Sequence, residues 1–581
     1  MNNLLHLNKY LFKYKKILMI GSVFILISNV FALYPAEFVR HSFDNIQAIL
    51  NNTSSTSIQS TLLKYGGLII LFAVIKGVFM YFMRQTIIVM SRKIEFDLKN
   101  EIYQKYQELS LSFYKENNTG DLMNRITEDV NRVRMYLGPA IMYAINMFFL
   151  FSLVISKMFI INTKLTLYVL APLPLLAIAV YYVSNQINKK SEQVQRQLSV
   201  LTSNSQETFS AINIIKIFRN EDNSFKRFYS ECKDYTKKQL QLVSVEAWFF
   251  PLIILLIGVS TITTIYIGGL ETFKGNITTG NIAEFIIYVN MLTWPVASVG
   301  WVTSLIQRAE ASMERINEFL DTKCNIKNPT EKDTDISGNI TFKDVSFIYP
   351  DTGIKALKNI SFSVKENETL GIFGKTGSGK STIANLMCRL YDTDNGSILF
   401  GNTNVKKLNL SQLRQNIGYV PQDGFLFSGT ANQNISFGKD RYQQSEIINA
   451  TNTAEITEEI ENFPDKYDTI IGERGVQLSG GQRQRISIAR AIFIKPPIYI
   501  FDDCLSAIDA NKEQKILKNL KNITSNNTNI IISHRTSSIK NANHIIVLDK
   551  GEITEEGTHY ELIKNNGFYA EIHKKQTTEN L

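Results

Sequence analysis

Six long apolar stretches in the first half of the chain constrain its fold more than any other feature. They are Ile17–Val39, Leu62–Met90, Tyr136–Ile161, Leu165–Ile187, Ala247–Gly269 and Ile282–Leu305. Each is near the roughly 20 residues that carry a helix across a bilayer. Hydropathy alone would also allow buried core helices, and loop charge decides between the two. The loops around Asn51–Ser60, Asn162–Lys164 and Glu271–Gly280 are almost free of Lys and Arg. The alternate loops carry Arg92, Lys93, Lys99, Arg125, Arg132 and Arg134, then Lys189, Lys190, Arg196, Lys216, Arg219, Lys226 and Arg227. That alternation follows the positive-inside rule, so a cytoplasmic-membrane protein with both termini inside is expected. Ahead of the first span, Leu4–Lys16 interleaves Leu, Phe and Tyr with four lysines and reads as an amphipathic helix on the inner membrane surface. No small-residue cleavage site follows the first apolar run, so no removable leader is expected.

A length of 581 residues exceeds one core and suits two domains. The net charge of +9 is accounted for by the inner loops. With no aromatic–basic stripe or nucleic-acid module, nucleic acid is not an expected partner. Cys232, Cys324, Cys388 and Cys504 lie far apart, all in segments read as cytoplasmic, so reduced thiols are expected. The polar run Asp321–Ser337 marks a linker. It separates a membrane domain, 1–320, from a second domain, 338–581. There the pattern changes: Ile340–Tyr349 alternates with the period of a half-buried antiparallel strand. Within the spans Lys76 stands out; an intramembrane cation either serves a pathway or faces a cavity or a pairing neighbour, and both readings stay open. Glu246 and Glu284 lie near span ends, where solvation is cheap, and carry no functional expectation.

The second domain holds the chemistry. Gly374–Ser381 reads G-K-T-G-S-G-K-S and fits the Walker A pattern, whose backbone N–H groups cradle phosphates at a helix N-terminus. Gly374, Lys375, Thr376, Gly377, Ser378, Gly379, Lys380, Ser381 and Thr382 are therefore nucleotide-site candidates. Lys380 is aimed at the β/γ-phosphates, and the Ser381 hydroxyl is a ligand for Mg²⁺. By itself this says only that the chain binds a nucleotide. Further on come L-S-G-G-Q (Leu478–Gln482) and I-Y-I-F-D-D-C-L-S-A-I-D (Ile498–Asp509), an apolar strand ending in two carboxylates. The three together resemble the ATPase domain of ABC transporters.

That resemblance implies specific roles. Tyr349 would stack on adenine. Gln422, in G-Y-V-P-Q-D, would contact Mg²⁺ and the attacking water. Asp502 would hold Mg²⁺ through water, and His534 would sense the γ-phosphate. Ser479, Gly480, Gly481 and Gln482 would grip the nucleotide bound to a second ATPase domain, with Asp509 in the D-loop beside them. Asp423–Ile494 would form a helical subdomain, and Ile471–Gly475 a loop meeting intracellular helices. The long inner loops Arg92–Met135 and Asn188–Glu246 read as cytoplasmic extensions of the membrane helices. Phe113–Val130 and Gln206–Phe218 within them resemble the coupling segments of type I ABC exporters, with a turn at Gly120 ahead of the first coupling helix. The implied fold is an all-α, six-helix transmembrane domain followed by an α/β P-loop ATPase with antiparallel and helical subdomains.

One departure matters. Family members usually end the carboxylate strand Asp-Glu, the Glu polarising the attacking water, but position 503 is Asp. The side chain is one methylene shorter, and a ~1 Å misplacement costs about a hundredfold in rate. Slower hydrolysis is one reading. A degenerate site that binds ATP and hydrolyses it poorly is the reading preferred. The signature L-S-G-G-Q is complete, which implies a partner half-transporter supplying the Glu. The Asp-Asp ending and Trp294–Ile316 resemble one half of bacterial heterodimeric multidrug exporters, although a homodimer stays open. The expected activity is ATP-driven export of hydrophobic or amphipathic substrates, drugs or lipids. The alternatives are a lipid flippase and a regulatory ATP-binding subunit.

Overall fold

A backbone in hydrocarbon must satisfy its own hydrogen bonds, and in the N-terminal half it does so with helices alone. The computed structural model describes residues 3–50, 58–330, 332, 336, 339–439, 441–471, 478–523 and 525–579. These divide into two units, Met1–Tyr106 with Gly120–Thr322, and Gln107–Thr119 with Lys323–Leu581.

In the first unit, among the described residues, five helices are long and apolar enough to cross a membrane: Lys15–Leu50, Ile58–Glu108, Thr119–Ile161, Glu221–Phe273 and Thr279–Leu320. The sequence led us to expect six. The segment expected as the fourth span, Leu165–Ile187, is helical, but its hydrogen-bond ladder is interrupted at Ala171, itself at helical φ −55° and ψ −35°, between Thr163–Leu170 and Pro172–Ser210. Pro172 and Pro174 each withdraw a backbone donor there. The first piece has only 8 residues, and the second turns polar after Val183. Several helices outrun the bilayer. The 51 residues of Ile58–Glu108 rise about 75 Å at ~1.5 Å each, against a ~30 Å hydrocarbon core. Helix Thr119–Ile161 contains two π turns, Arg125–Asp129 and Tyr136–Ala140, the latter around Pro139.

The N-terminal segment is helical, in two short pieces. Asn3–Leu7 and Asn8–Lys13 are short helical turns whose Leu4, Leu7 and Tyr10 are buried in protein. Lys9 and Lys13 pair with Glu101 and Asp97 of helix Ile58–Glu108, each at 2.6 Å. Leu5 and Phe12 of the same segment stay exposed, so part of its apolar surface lies outside this unit.

In the second unit, a six-stranded sheet runs in the order Glu552–Gly557, His544–Asp549, Thr369–Gly374, Thr528–Ser533, Ile498–Asp502, Ile417–Val420. All neighbours are parallel except the first pair. In register, Ile532 lies beside both Ile372 and Asp502, so several strands end together at one edge of the sheet. That carboxyl edge is where open α/β sheets place their ligands. An antiparallel sheet of Lys355–Val364, Ile340–Ile348, Asn395–Phe400 and Thr403–Asn404 shares a core with it, around Phe342, Leu357, Ile372 and Ile500. Helices Ala431–Ile435, Gln444–Thr453, Thr457–Glu461 and Gly480–Ile494 pack around Ile447, Ile460 and Ile488. Of the expected loop Ile471–Gly475, only Ile471 is among the described residues.

The short helix Leu111–Glu116 belongs to this second unit. It precedes Gly120, which sits inside the following helix Thr119–Asn124, so the expected turn at Gly120 is absent. The chain turns at Asn117, which is extended. Leu111 packs on the sheet core. The second short helix, Ile212–Ile217, lies between a break at Ala211 and Arg219, whose φ is +50°.

Candidate nucleotide site

The phosphate loop is built from the strand end Gly374 to the start of helix Lys380–Met387. Gly379 has φ +104°, and a Cβ there would stand 2.5 Å from the Ala356 carbonyl oxygen. Gly374 would likewise meet the Leu548 carbonyl oxygen at 2.3 Å. Only glycine lets the loop curl this tightly against its neighbours. Lys375, Thr376 and Gly377 are exposed, whereas Ser378 is buried with its hydroxyl unpartnered. Lys380 Nζ donates to the carbonyl oxygens of Gly374 (2.9 Å) and Lys375 (2.8 Å), spanning the loop from beneath. Burial pushes its ammonium below the usual lysine value, opposed by the nearby Asp503 and Asp502.

Opposite stands the carboxylate pair. Ser381 Oγ donates to Asp502 Oδ1 at 2.9 Å, and Tyr419 Oη donates to Asp502 Oδ2 at 3.3 Å. Burial, helped by Asp503, pushes the Asp502 carboxyl up from its ordinary value, and these two bonds work against that. The Ser381 hydroxyl, the Asp502 carboxylate and the nearby Gln422 amide form an oxygen-rich set that suits Mg²⁺. Among the described residues no cluster of three or more His, Cys, Asp or Glu could cage a metal.

Asp503 sits at φ +46°, in the left-handed region that Asp tolerates better than most residues. Its N–H donates to the Ile532 carbonyl oxygen at 2.9 Å. Its carboxylate accepts from His534 Nδ1, at 2.8 Å to Oδ1 and 3.0 Å to Oδ2, and from Gln422 Nε2 at 3.5 Å. Gln422, Asp503 and His534 thus meet at one point, beside Lys380, Ser381 and Asp502.

Tyr349 Oη is 3.0 Å from Thr382 Oγ1, and its ring packs edge-on to Tyr391 at 5.5 Å. Lys115, from the short helix Leu111–Glu116, lies over the Tyr349 ring at 4.7 Å. Ser479 and Gln482 form a reciprocal capping box at the start of helix Gly480–Ile494, Gln482 Oε1 accepting from the Ser479 N–H and Ser479 Oγ from the Gln482 N–H. A Cβ on Gly481 would stand 3.0 Å from the Ala507 carbonyl oxygen. Asp509 is exposed and accepts from Asn511 N–H at 2.9 Å, opening helix Ala510–Ile523.

The comparisons with known proteins agree along the chain. Residues 18–296 match the ABC transporter transmembrane region, and residues 357–506 match the ABC transporter family proper. The chain is 34% identical to the probable multidrug resistance ABC transporter ATP-binding/permease protein YheI of Bacillus subtilis (strain 168), over 96% of this chain and 94% of the relative. It is 34% identical to the ATP-dependent lipid A-core flippase of Syntrophus aciditrophicus (strain SB), over 88% of this chain and 85% of the relative. In fold it is similar to a bacterial Atm1-family ABC exporter with ATP bound, at a TM-score of 0.77 and 25% identity over 98% of each chain.

The chain is a type I ABC exporter.

ATP-driven export is accordingly its activity. The exporter also uses residues that sequence reasoning passed over. Gln484, buried one turn inside the signature helix, donates from Nε2 to the Gln422 carbonyl oxygen (3.1 Å) and accepts from Ala507 N–H (3.3 Å). One side chain thereby ties the Gln422 loop to the D-loop. Arg535, the residue after His534, donates to the Ser506 carbonyl oxygen at 3.1 Å and to Glu513 at 2.6 Å. In the membrane unit, Glu284 is not a solvated end residue. It is 1% exposed, pairs with Arg40 at 3.3 Å and accepts from the buried Tyr288 hydroxyl at 2.8 Å. Lys157 pairs with Glu37 nearby in sequence to Arg40. Asp129, in the first π turn, accepts from Ser312 (2.8 Å) and Arg315. Pairs separated by more than 180 residues leave no local pattern to read. The Lys76 side chain is exposed.

Proposed function

We propose that this exporter works in the cytoplasmic membrane, both termini inside, as one half of a heterodimer whose own ATP site hydrolyses slowly. One observation carries the reading: Asp503 stands where a longer carboxylate would reach the attacking water, and its short side chain is already engaged by His534 and Gln422. Lys380 and the phosphate-loop amides bind and orient the triphosphate. Tyr349 carries the adenine. Asp503 is the base, reaching less far than a Glu, and His534 and Gln422 orient the water and report the γ-phosphate. Mg²⁺ would be held by Ser381, Gln422 and, through water, Asp502, and supplies charge neutralisation at the transferring phosphoryl group. Ser479, Gly480, Gly481, Gln482 and Asp509 complete the site of a partner that brings the missing Glu.

Two features support a second chain. The short helix Ile212–Ile217 buries none of its residues, and Phe209, Ile214, Ile217 and Phe218 around it are exposed. Docked on a partner's ATPase domain, that apolar surface would transmit ATP-driven closure to the membrane helices. Helix Ile58–Glu108 likewise leaves most of its apolar surface uncovered. The cargo is a hydrophobic or amphipathic small molecule, as the name of the Bacillus relative suggests. The flippase relative favours a lipid as the second reading. Native mass measurement of the purified complex tests the pairing, two different chains being expected. Two copies of this chain with brisk ATP turnover would refute it. ATPase stimulation by lipids with no response to hydrophobic drugs would favour the flippase.

A further inference from the structure

The C-terminal helix Phe568–Glu579 touches two separate loops of the nucleotide site. At its start, Lys375 of the phosphate loop lies over the Phe568 ring at 4.8 Å. Next to it, the buried Tyr569 packs edge-on to Phe373 at 5.2 Å, on the strand that feeds the loop. Two turns later, Gln576 reaches the switch-histidine loop. Its Nε2 donates to the His534 carbonyl oxygen at 2.9 Å, and its Oε1 accepts from Thr536 N–H at 2.9 Å and from Thr536 Oγ1 at 3.1 Å. The orientation of the amide is set by its partners, since a carbonyl can only accept and a backbone N–H can only donate. His573 Nδ1 adds a contact of 2.9 Å to Thr536 Oγ1.

A side-chain amide offering one donor and one acceptor to residues two apart does what a neighbouring strand would do. It fixes the backbone on both sides of Arg535, and Arg535 itself reaches the D-loop carbonyl of Ser506. The His534 ring stays free to face Asp503.

We propose that helix Phe568–Glu579 is a strap across the nucleotide site. In it Gln576 is a positioning residue that holds the backbone of His534 where its ring reaches Asp503 and the γ-phosphate. This rests on the reading of His534 as the switch histidine. Gln576 acts only through that loop, so its loss lowers turnover without weakening ATP binding.

The test uses the full-length exporter in lipid nanodiscs, its partner's catalytic Glu replaced by Gln so that turnover reports this chain's site, with hydrogen exchange of the loop read alongside steady-state ATPase kinetics. In Gln576→Ala, the Thr536 amide should exchange about tenfold faster, and kcat should fall about fivefold with KM for ATP unchanged. Gln576→Glu keeps the acceptor for Thr536 and loses the donor to His534, so its exchange should stay slow while kcat still falls. Added to His534→Ala, Gln576→Ala should lower kcat no further. Unchanged kcat and exchange in Gln576→Ala would overturn the strap while His534→Ala remains impaired. A multiplicative loss in the double variant would also overturn it, as would a rise in KM alone. An unimpaired His534→Ala would overturn the switch-histidine reading, and the strap with it.

Discussion

Strand Ile498–Asp502 is buried at every residue, whereas helix Ile58–Glu108, comparably apolar, buries only 6% of its most apolar window. The contrast extends to the units they belong to. The ATPase unit covers most of its apolar sequence with its own strands and helices, and Lys375 of the phosphate loop, His534 and the signature serine lie at its surface beside a few exposed aromatics such as Phe425, Phe427 and Phe437. The membrane unit varies within itself, with 41% of the window buried in helix Thr279–Leu320 and 13% in Glu221–Phe273. Its less covered helices depend on lipid or on a second chain. Internally it is held by an apolar cluster around Leu33, Val154, Phe285 and Leu292, and the pairs Arg40–Glu284 and Arg315–Asp129 tie distant helices together as well. A self-contained unit can be damaged at one site without losing its fold. In the open unit, fold and assembly are harder to separate.

The largest effect should come at the catalytic end. Lys380→Ala removes a charge-assisted donor and should weaken ATP binding about a hundredfold, measured by nucleotide titration, with the thermal midpoint nearly unchanged. A collapse of the midpoint would break the contrast. The membrane unit should behave the opposite way. Glu284→Ala leaves Arg40 and the Tyr288 hydroxyl facing each other without their shared acceptor, and should cost about 3 kcal/mol in detergent-based thermal unfolding. ATP affinity should not change. Glu284→Gln, which keeps an acceptor for Tyr288, should lose less.

The motifs were legible because their chemistry is contiguous. Gly374–Ser381 is one loop, and the register of three parallel strands brings Gly374, Asp502 and the residue before His534 to one edge. Alternation of apolar runs and basic loops was enough to mark membrane helices. It did not give an exact count, because Pro172 and Pro174 interrupt the helix hydrogen bonding where the apolar pattern continues. Side chains that act between loops were out of reach. Gln484 is one glutamine in Q-R-Q-R, and Gln576 meets His534 across 42 residues. Glu284 was misjudged because position along a span says nothing about which face is buried. The pairing of Lys9 and Lys13 with Glu101 and Asp97 was out of reach for the same reason, the acidic partners lying on another helix.

Smaller effects sharpen the picture of the ATPase unit. Asp503→Glu should raise turnover roughly tenfold by restoring reach to the water. It should also lower stability by about 1 kcal/mol, because a Glu is less at ease at φ +46°. Unchanged turnover would place the limitation in the opposing signature.

The smallest effect concerns Glu459. Burial disfavours its charge, but bonds from Arg485 and Lys512 outweigh this and hold its pKa at about 2, against 4.5 unperturbed. A depressed carboxylate pKa stabilises the fold above about pH 4.5, and that contribution fades as pH falls toward 2. Allowing for solvent screening, about 1 kcal/mol is expected. The midpoint gap between wild type and Glu459→Gln should be constant near neutrality and begin to narrow below pH 4.5.

The helix Leu111–Glu116 has a practical consequence for anyone wishing to study the motor in isolation. Gln107–Thr119 groups with residues 323–581, although two hundred residues of membrane sequence intervene. A polypeptide begun at Lys323 would lose Leu111 from its sheet core and Lys115 from above the Tyr349 ring. Nucleotide affinities measured on such a fragment would describe a machine from which one of its own parts had been pulled out.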